Sequence, residues 1–428
     1  MVLWSANTKQ KLELPLPSSP TRFGTLDQTF SLTSFQMRPK ENNHEAFRPT
    51  CLAYVRWEPQ RMALANSGLP HPFLAQEVAS SSVGLRLSII WEVTSFWSLG
   101  AAFSGAQDVY RVITPNASAS YSHWSLPLAL SSQWNLGKSG IRVSGSLLAS
   151  RQGYRADGGH AYSKAPLDPQ DMTLVSPRAS VTWGIRPWLD VDIVAAEVHR
   201  APALVERFGG ATVLPNVNLA PESARKVDAG LRVTTRRRTG WVRQGHFELV
   251  AFGTHARNLI QWMPQNAFVQ QAQNMGQSSL WGWDVGGRLE LLRFCELASH
   301  FTRLITLNES DIAYARGKEL PLRPAYQWST ALTVDWRGWS MQYSAILSGP
   351  QYWDVGNFLR MEPYWDHSFS LAWQTPGWGM FRVDVRNMSN RLTTLSYFNN
   401  VSYWQSTTGF EGLAAPGRRI YFTWMYAL

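Results

Sequence analysis

The sequence predicts an all-β chain, an antiparallel transmembrane β-barrel, and three observations lead there. Apolar and charged residues alternate singly in Leu189-Asp190-Val191-Asp192-Ile193 and again in Lys226-Val227-Asp228-Ala229-Gly230-Leu231-Arg232. That is the period of an extended strand and cannot make a helical stripe. The segments carrying it run to roughly nine to thirteen residues, whereas soluble strands average about five or six and a tilted membrane-crossing strand needs about nine to eleven. From residue 139 onward, short and long connections alternate strictly, the layout of a barrel with short periplasmic turns and long extracellular loops.

Composition agrees. A chain of 428 residues is too long for one soluble core and suits several domains or one large closed sheet. Only 16% of it is charged, and it holds 21 Trp, a usage that fits aromatic girdles at two membrane interfaces. The net charge of +10 is scattered through strands and turns. Only Arg236-Arg237-Arg238 clusters, which reads as a solvated turn, so no nucleic-acid partner is expected. Cys51 and Cys295 stand alone without a disulfide framework. The uncharged run 112–137 is too polar for a transmembrane helix, and residues 1–20 lack the apolar stretch of a secretory signal.

In chain order, residues 1–45 form a polar, weakly patterned lead-in with at most one strand, near Phe30–Met37. The barrel region, 46–428, opens with Cys51–Trp57, then a strand with Leu85, Leu87, Ile89, Trp91 and Val93 on one face. Lower-contrast strands follow at 99–103 and 121–134. Regular strands are expected near 139–150, 178–186, 188–198, 226–235, 244–256, 282–292, 296–306, 325–336, 339–348, 366–374, 378–387 and 418–428, about sixteen in all. Charge at a mid-membrane, lipid-facing position costs about 2–4 kcal/mol for Arg or Lys. Asp190, Asp192, Asp228, Arg232, Glu248, Asp284, Arg382 and Asp384 are therefore expected to face a wet or plugged interior. Val227, Leu231, Phe381, Val383, Ile420, Phe422 and Trp424 are expected to face lipid.

No catalytic constellation emerges, and no cofactor or metal site is expected. Gly137-Lys138-Ser139 lacks the first glycine of a phosphate loop, and His44-Glu45 lacks the second ligand of a zinc motif. Asp190 with Asp192 reads as interior lining, not an acid–base pair. Cations and aromatics on the long loops, namely Arg200, Arg207, Trp262, Tyr352, Trp353, Tyr397 and Tyr403, are candidates for binding an anionic metal chelate. The same aromatics could instead be girdle residues at the outer interface.

Five motifs in order resemble the TonB-dependent outer-membrane receptors. Val198-His199-Arg200-Ala201-Pro202, with Glu206 and Gly209, is similar to their "fRaPs..ElyG" segment. Asn216-Val217-Asn218-Leu219-Ala220-Pro221-Glu222 resembles "NpnLkPE", and Val227 to Leu231, through Gly230, resembles "yElGl". Gly317-Lys318-Glu319-Leu320-Pro321-Leu322-Arg323-Pro324 is similar to "GK.LP..P". Asn387, with Pro416-Gly417-Arg418, matches the closing "NlfD…pGR".

The resemblance implies a 22-stranded barrel filled by a plug, taking up ferric siderophores, cobalamin or other scarce solutes with energy delivered through TonB. It further implies that the present chain is the C-terminal barrel portion, without plug or TonB box. The expected partners are outer-membrane lipid, TonB, and a small solute or metal chelate. A passive porin-like barrel and a soluble all-β carbohydrate-binding protein are the alternatives.

Overall fold

A computed structural model describes residues 2–16, 19–37, 47–64, 75–114, 117–157, 170–209, 213–236, 240–265, 270–391 and 417–425. The chain divides into two compact units. The first comprises Met1–Val181, Ala195–Arg225 and Ala256–Gly276, and the second Thr182–Val194, Lys226–His255 and Gln277–Leu428.

The chain begins with β1 (Val2–Leu16), β2 (Ser19–Met37), β3 (Phe47–Leu64), β4 (Ala75–Thr94), β5 (Trp97–Thr114), β6 (Ala117–Asn135) and β7 (Ile141–Asp157). It continues through β8 (Gln170–Arg186), β9 (Leu189–Arg200), α1 (Leu204–Phe208), β10 (Val213–Leu214), β11 (Glu222–Arg236), β12 (Val242–Arg257), β13 (Ile260–Pro264) and β14 (Gln270–Asn274). The remainder is β15 (Gln277–Leu291), β16 (Cys295–Asn308), β17 (Tyr326–Trp336), β18 (Trp339–Ser348), β19 (Gln351–Tyr352), β20 (Arg360–Met361), β21 (Tyr364–Thr375), β22 (Gly379–Arg386) and β23 (Arg419–Met425).

Eighteen strands belong to one sheet, in which neighbours along the chain pair antiparallel. The five short strands decorate long connections, as β10–β14–β13 and β19–β20. All twelve regular strands expected from the alternation are present, β18 with the expected bounds. The eighteen strands exceed the expected sixteen because the lead-in supplies two, β1 and β2, where one at most was read. Ser, Thr, Asn and Gln on both faces blur the period there, and pairing to a neighbour supplies what pattern does not.

Connection length sorts by end as the alternation requires. Two-residue Arg337-Gly338, with φ of 47° and 87°, is a type I′ turn whose twist matches its strands. Upstream the rule relaxes: β5 and β6 are joined by two residues at the loop end. The strands there are also longer than expected, at 20 residues for β4, 18 for β5 and 19 for β6. At ~3.3 Å per residue such strands reach ~60 Å, so even tilted by ~45° they extend well past a ~25 Å apolar band.

The two faces are inverted relative to a water-soluble sheet. Val227, Ile193 and Phe422 are 57%, 53% and 80% exposed, whereas the charged face is half-buried and paired. Its ion pairs include Arg232–Glu248 at 3.2 Å, Arg243–Glu290 at 3.6 Å and Arg382–Asp384 at 2.8 Å. A soluble sandwich would bury the apolar set between layers; here that set faces outward.

Aromatic rows mark where the apolar band ends. Trp336, Trp339, Trp373, Phe381 and Trp424 are consecutive cross-strand partners from β17 to β23. Trp339 and Trp373 stack at 5.1 Å. Nearer the long loops, Trp328 and Trp365 meet at 5.6 Å. The eight residues from Trp328 to Trp336 span about 26 Å of strand, or about 20 Å along the normal at a ~40° tilt. Two girdles at that spacing are what a bilayer core asks of outward-facing Trp.

Candidate functional site at the loop end

In the first unit, the excursion 201–221 and the hairpin 258–276 form one loop body. The chain leaves β9 at Arg200, turns at Pro202 and makes the single-turn α1. Glu206 starts that turn by accepting the backbone N–H of Ala203 at 2.7 Å. Gly209 ends it with φ of 80°, and a Cβ there would lie 2.7 Å from the Val213 carbonyl oxygen, so only glycine fits.

Arg200 ties the body together. Its guanidinium makes a forked contact with Glu206, at 2.9 and 3.1 Å, and donates from Nε to Glu222 at 2.5 Å. Glu222 in turn accepts the Ile260 backbone N–H at 2.6 Å. One cation thus binds both ends of the first loop and the start of the second. Asn216 donates to the Ala272 carbonyl at 2.8 Å, and Asn274 exchanges hydrogen bonds with the Ala220 backbone at 2.9 and 3.0 Å. Leu219, Ile260 and Ala272 form a small apolar core against which half-buried Trp262 packs. Pro221 sits beside it, its carbonyl 3.5 Å from Asn258 Nδ2.

α1 lies on the polar face of β5, β6 and β7. Phe208 stacks on Tyr121 at 4.1 Å within a core of Tyr110, Val112, Ala119 and Tyr154. The Tyr110 hydroxyl donates to the Gly209 carbonyl at 2.8 Å, and the Tyr154 hydroxyl donates to that of Pro202. Arg207, expected as a ligand-binding cation on an open loop, is 2% exposed. It donates to the Val217 carbonyl at 2.6 Å and to Gln170, and lies over the Tyr154 ring at 4.8 Å. Burial pushes its pKa down. In this structure both arginines singled out from sequence hold the loop body together.

Below α1 a polar tract that the sequence analysis missed crosses four strands, β4 to β7, on the same face. Ser82 donates to Asp108 at 2.5 Å; His123 lies 3.1 Å from Asp108 and 3.0 Å from Gln152. The His123 ring also rests 4.8 Å from that of Tyr154. Polar residues at every second position are the only sequence signal for this tract, and they occur where the alternation has least contrast.

In the second unit, loops 309–325 and 349–363 form another body. Asn357 accepts the Glu319 N–H at 2.7 Å and donates back to its carbonyl at 3.0 Å. The Leu322 N–H donates to the Tyr352 carbonyl at 2.7 Å, leaving Tyr352 and Trp353 half-buried on the β19–β20 hairpin. Gly317, at φ of 76°, closes a turn by donating to the Asn308 carbonyl at 2.8 Å. Pro321 is buried and Pro324 half-buried where the chain approaches β17.

Asn387 grips both the N–H and the carbonyl of Arg391, and the Arg418 N–H reaches Asn390 at 2.9 Å, with Gly417 beside it. Gly230 leaves room for Asp192, whose carboxylate would lie 2.8 Å from a Cβ. Tyr397, Tyr403 and Pro416 lie outside the described residues. Among the described residues no His, Cys, Asp and Glu cluster suited to a metal is found.

Residues 41–388 match the family model described as TonB dependent receptor-like, beta-barrel. No curated protein sequence matches this chain. Among solved structures, the copper transporter OprC superposes with a TM-score of 0.72 at 14% identity, covering 95% of this chain and 65% of that one. The siderophore receptor PiuA from Acinetobacter baumannii gives 0.68 at 12% identity, over 94% and 64%. The ferric yersiniabactin uptake receptor FyuA from Yersinia pestis gives 0.67 at 14% identity, over 94% and 62%. The chain thus spans less than two thirds of the length of these structures.

Proposed function

Since the chain belongs to the TonB-dependent receptor-like β-barrel family, we propose that it forms the wall of an outer-membrane receptor for a scarce solute, such as a ferric siderophore or cobalamin. The observation that carries this reading is the family match over 41–388, joined to an outward apolar face bounded by aromatic rows. The relatives named above act on copper or on siderophores, so a metal or metal chelate is the solute class we favour.

Within this reading the loop bodies capture solute and TonB energises its passage. Arg200 and Arg207 shape the first body, while Trp262, Tyr352 and Trp353 offer aromatic surface to the solute. Tyr397 and Tyr403 complete the proposed set.

The test is whole-cell uptake of radiolabelled copper, cobalamin and a panel of ferric hydroxamates and catecholates. The full chain, joined behind the plug domain and TonB box of a receptor of this family, is expressed in the outer membrane of a strain lacking its own receptors, with and without TonB. The reading expects saturable uptake of one solute class that disappears without TonB. Unsaturable passage of several solutes that ignores TonB would establish the passive channel instead.

A further inference from the structure

We propose that the outward face of β3 to β7 carries a binding site for an anionic, phosphate-bearing membrane lipid. The acyl chain lies in a groove beside Gly105, and the phosphate is held by Arg155 and Arg111. The groove measures about 620 Å³ and is lined mainly by Val55, Val83, Leu85, Gly105, Trp124 and Leu126. These residues share the outward face, because Val55 pairs with Val83, Leu85 with Gly105, and Trp124 with Gln107. The depression follows from residue size. Gly105 has no side chain where Leu85 and Leu126 stand on either side, and a Cβ there would only just touch Leu126, at 3.5 Å.

What distinguishes the groove from bare lipid-facing surface is the charge beyond it. Outward-facing Trp134 pairs with Trp97 beside the short turns, ten residues from Trp124. That is about 33 Å of strand, or ~25 Å along the normal at a ~40° tilt, which puts Trp124 at the outer boundary of the apolar band. The next rows on the same face bring in the cations. Arg155 pairs with Ser122, one row past Trp124, and Arg111 pairs with Ser120, one row further. Both arginines are exposed, and no described residue forms an ion pair with either. Arg151, opposite Leu126, is already matched by Asp171 at 3.7 Å. Two guanidiniums with no ion pair among the described residues therefore sit at headgroup depth above the groove, where each can fork onto phosphate oxygens.

The proposal rests on the apolar face meeting lipid. A chain that stays monodisperse without detergent would overturn that premise, whereas the variants below test the site alone. The full chain is placed in phosphatidylcholine nanodiscs doped with phosphatidylglycerol, and bound lipid is counted by native mass spectrometry. Wild type is expected to retain phosphatidylglycerol over phosphatidylcholine, undisturbed by inorganic phosphate. Arg111→Gln with Arg155→Gln should lower that retention roughly tenfold or more. Arg111→Lys with Arg155→Lys should restore most of it, and Gly105→Leu should abolish it by filling the slot. Heat-modifiable mobility on gels reports assembly, and Leu85→Trp narrows the same groove if Gly105→Leu does not assemble. Equal retention of the two lipids, displacement by inorganic phosphate, or full retention in either the Gln or the groove variant overturns the site.

Discussion

The two loop bodies solve one problem with different chemistry. Each must hold two long excursions in a fixed shape at the end of a sheet. The first uses charge: Arg200 spans Glu206 and Glu222, and Arg207 is buried against Tyr154. The second uses side-chain hydrogen bonds to backbone in place of a guanidinium clamp: Asn357 pairs with the Glu319 backbone, and the Asp354 carboxylate accepts the Leu359 N–H at 2.7 Å. The ion pair within it, Arg360–Glu362, is long at 3.9 Å and open to water, and Glu309 at its start meets His255 of β12 at 3.5 Å. The difference follows from what is being held. The first body has an apolar turn of helix to seat on distant strands, and a forked arginine can clamp two chain segments at once. The second sets one loop against the β19–β20 hairpin, and their backbone groups largely satisfy each other.

The sharpest way to break the first body is through its aromatic anchor. Phe208→Ala removes a ring that is 3% exposed and stacked on Tyr121. It should lower the local stability of 201–222 by about 3–5 kcal/mol, read as faster hydrogen exchange at the Arg207 and Gly209 amides. Next comes Arg200→Ala, which strands two carboxylates. Charge-assisted hydrogen bonds contribute about 1.5–3 kcal/mol each, and the half-open position of Arg200 argues for about 2 kcal/mol in total. Limited proteolysis within 201–222 should speed up while 309–363 is unaffected.

In the second body, Asn357→Ala should cost about 1–2 kcal/mol through its two lost hydrogen bonds. Exchange at Glu319 and Leu322 should report it. The smallest effect sharpens the contrast: raising salt to about 1 M shortens the screening length to ~3 Å. Exchange in 201–222 should then rise by a small factor and that in 309–363 should not. Equal salt response in the two bodies would show that charge is not what separates them.

Much of this was legible in the sequence. The alternation at Asp190, Asp192, Asp228 and Arg232 placed strands and assigned their faces, because side-chain direction in a strand depends only on residue parity. The strict short–long spacing after residue 139 told which end carries the loops. The "R.P...E" and "PE" positions Arg200, Pro202, Glu206, Pro221 and Glu222 were visible as a pattern, but not as a single clamp. The lead-in strands β1 and β2 were not legible, since polar residues on both faces erase the period. Nor was the Asp108–His123–Gln152 tract, which joins residues from three strands of weak contrast.

By itself the sequence determined that this chain forms long antiparallel strands with an oily and a charged face, and which end bears its loops. Those properties follow from the two-residue repeat of the extended backbone and need no distant partner. Only the tertiary structure decided the fate of the excursions: that α1 folds onto β5 to β7, that Arg207 is buried there, and that Arg200 closes two loops at once. Those outcomes depend on contacts such as that of Tyr110 with Gly209, 99 residues apart in the chain. No local pattern specifies such a pairing, because it arises only once neighbouring strands have set their register and brought the two surfaces within reach.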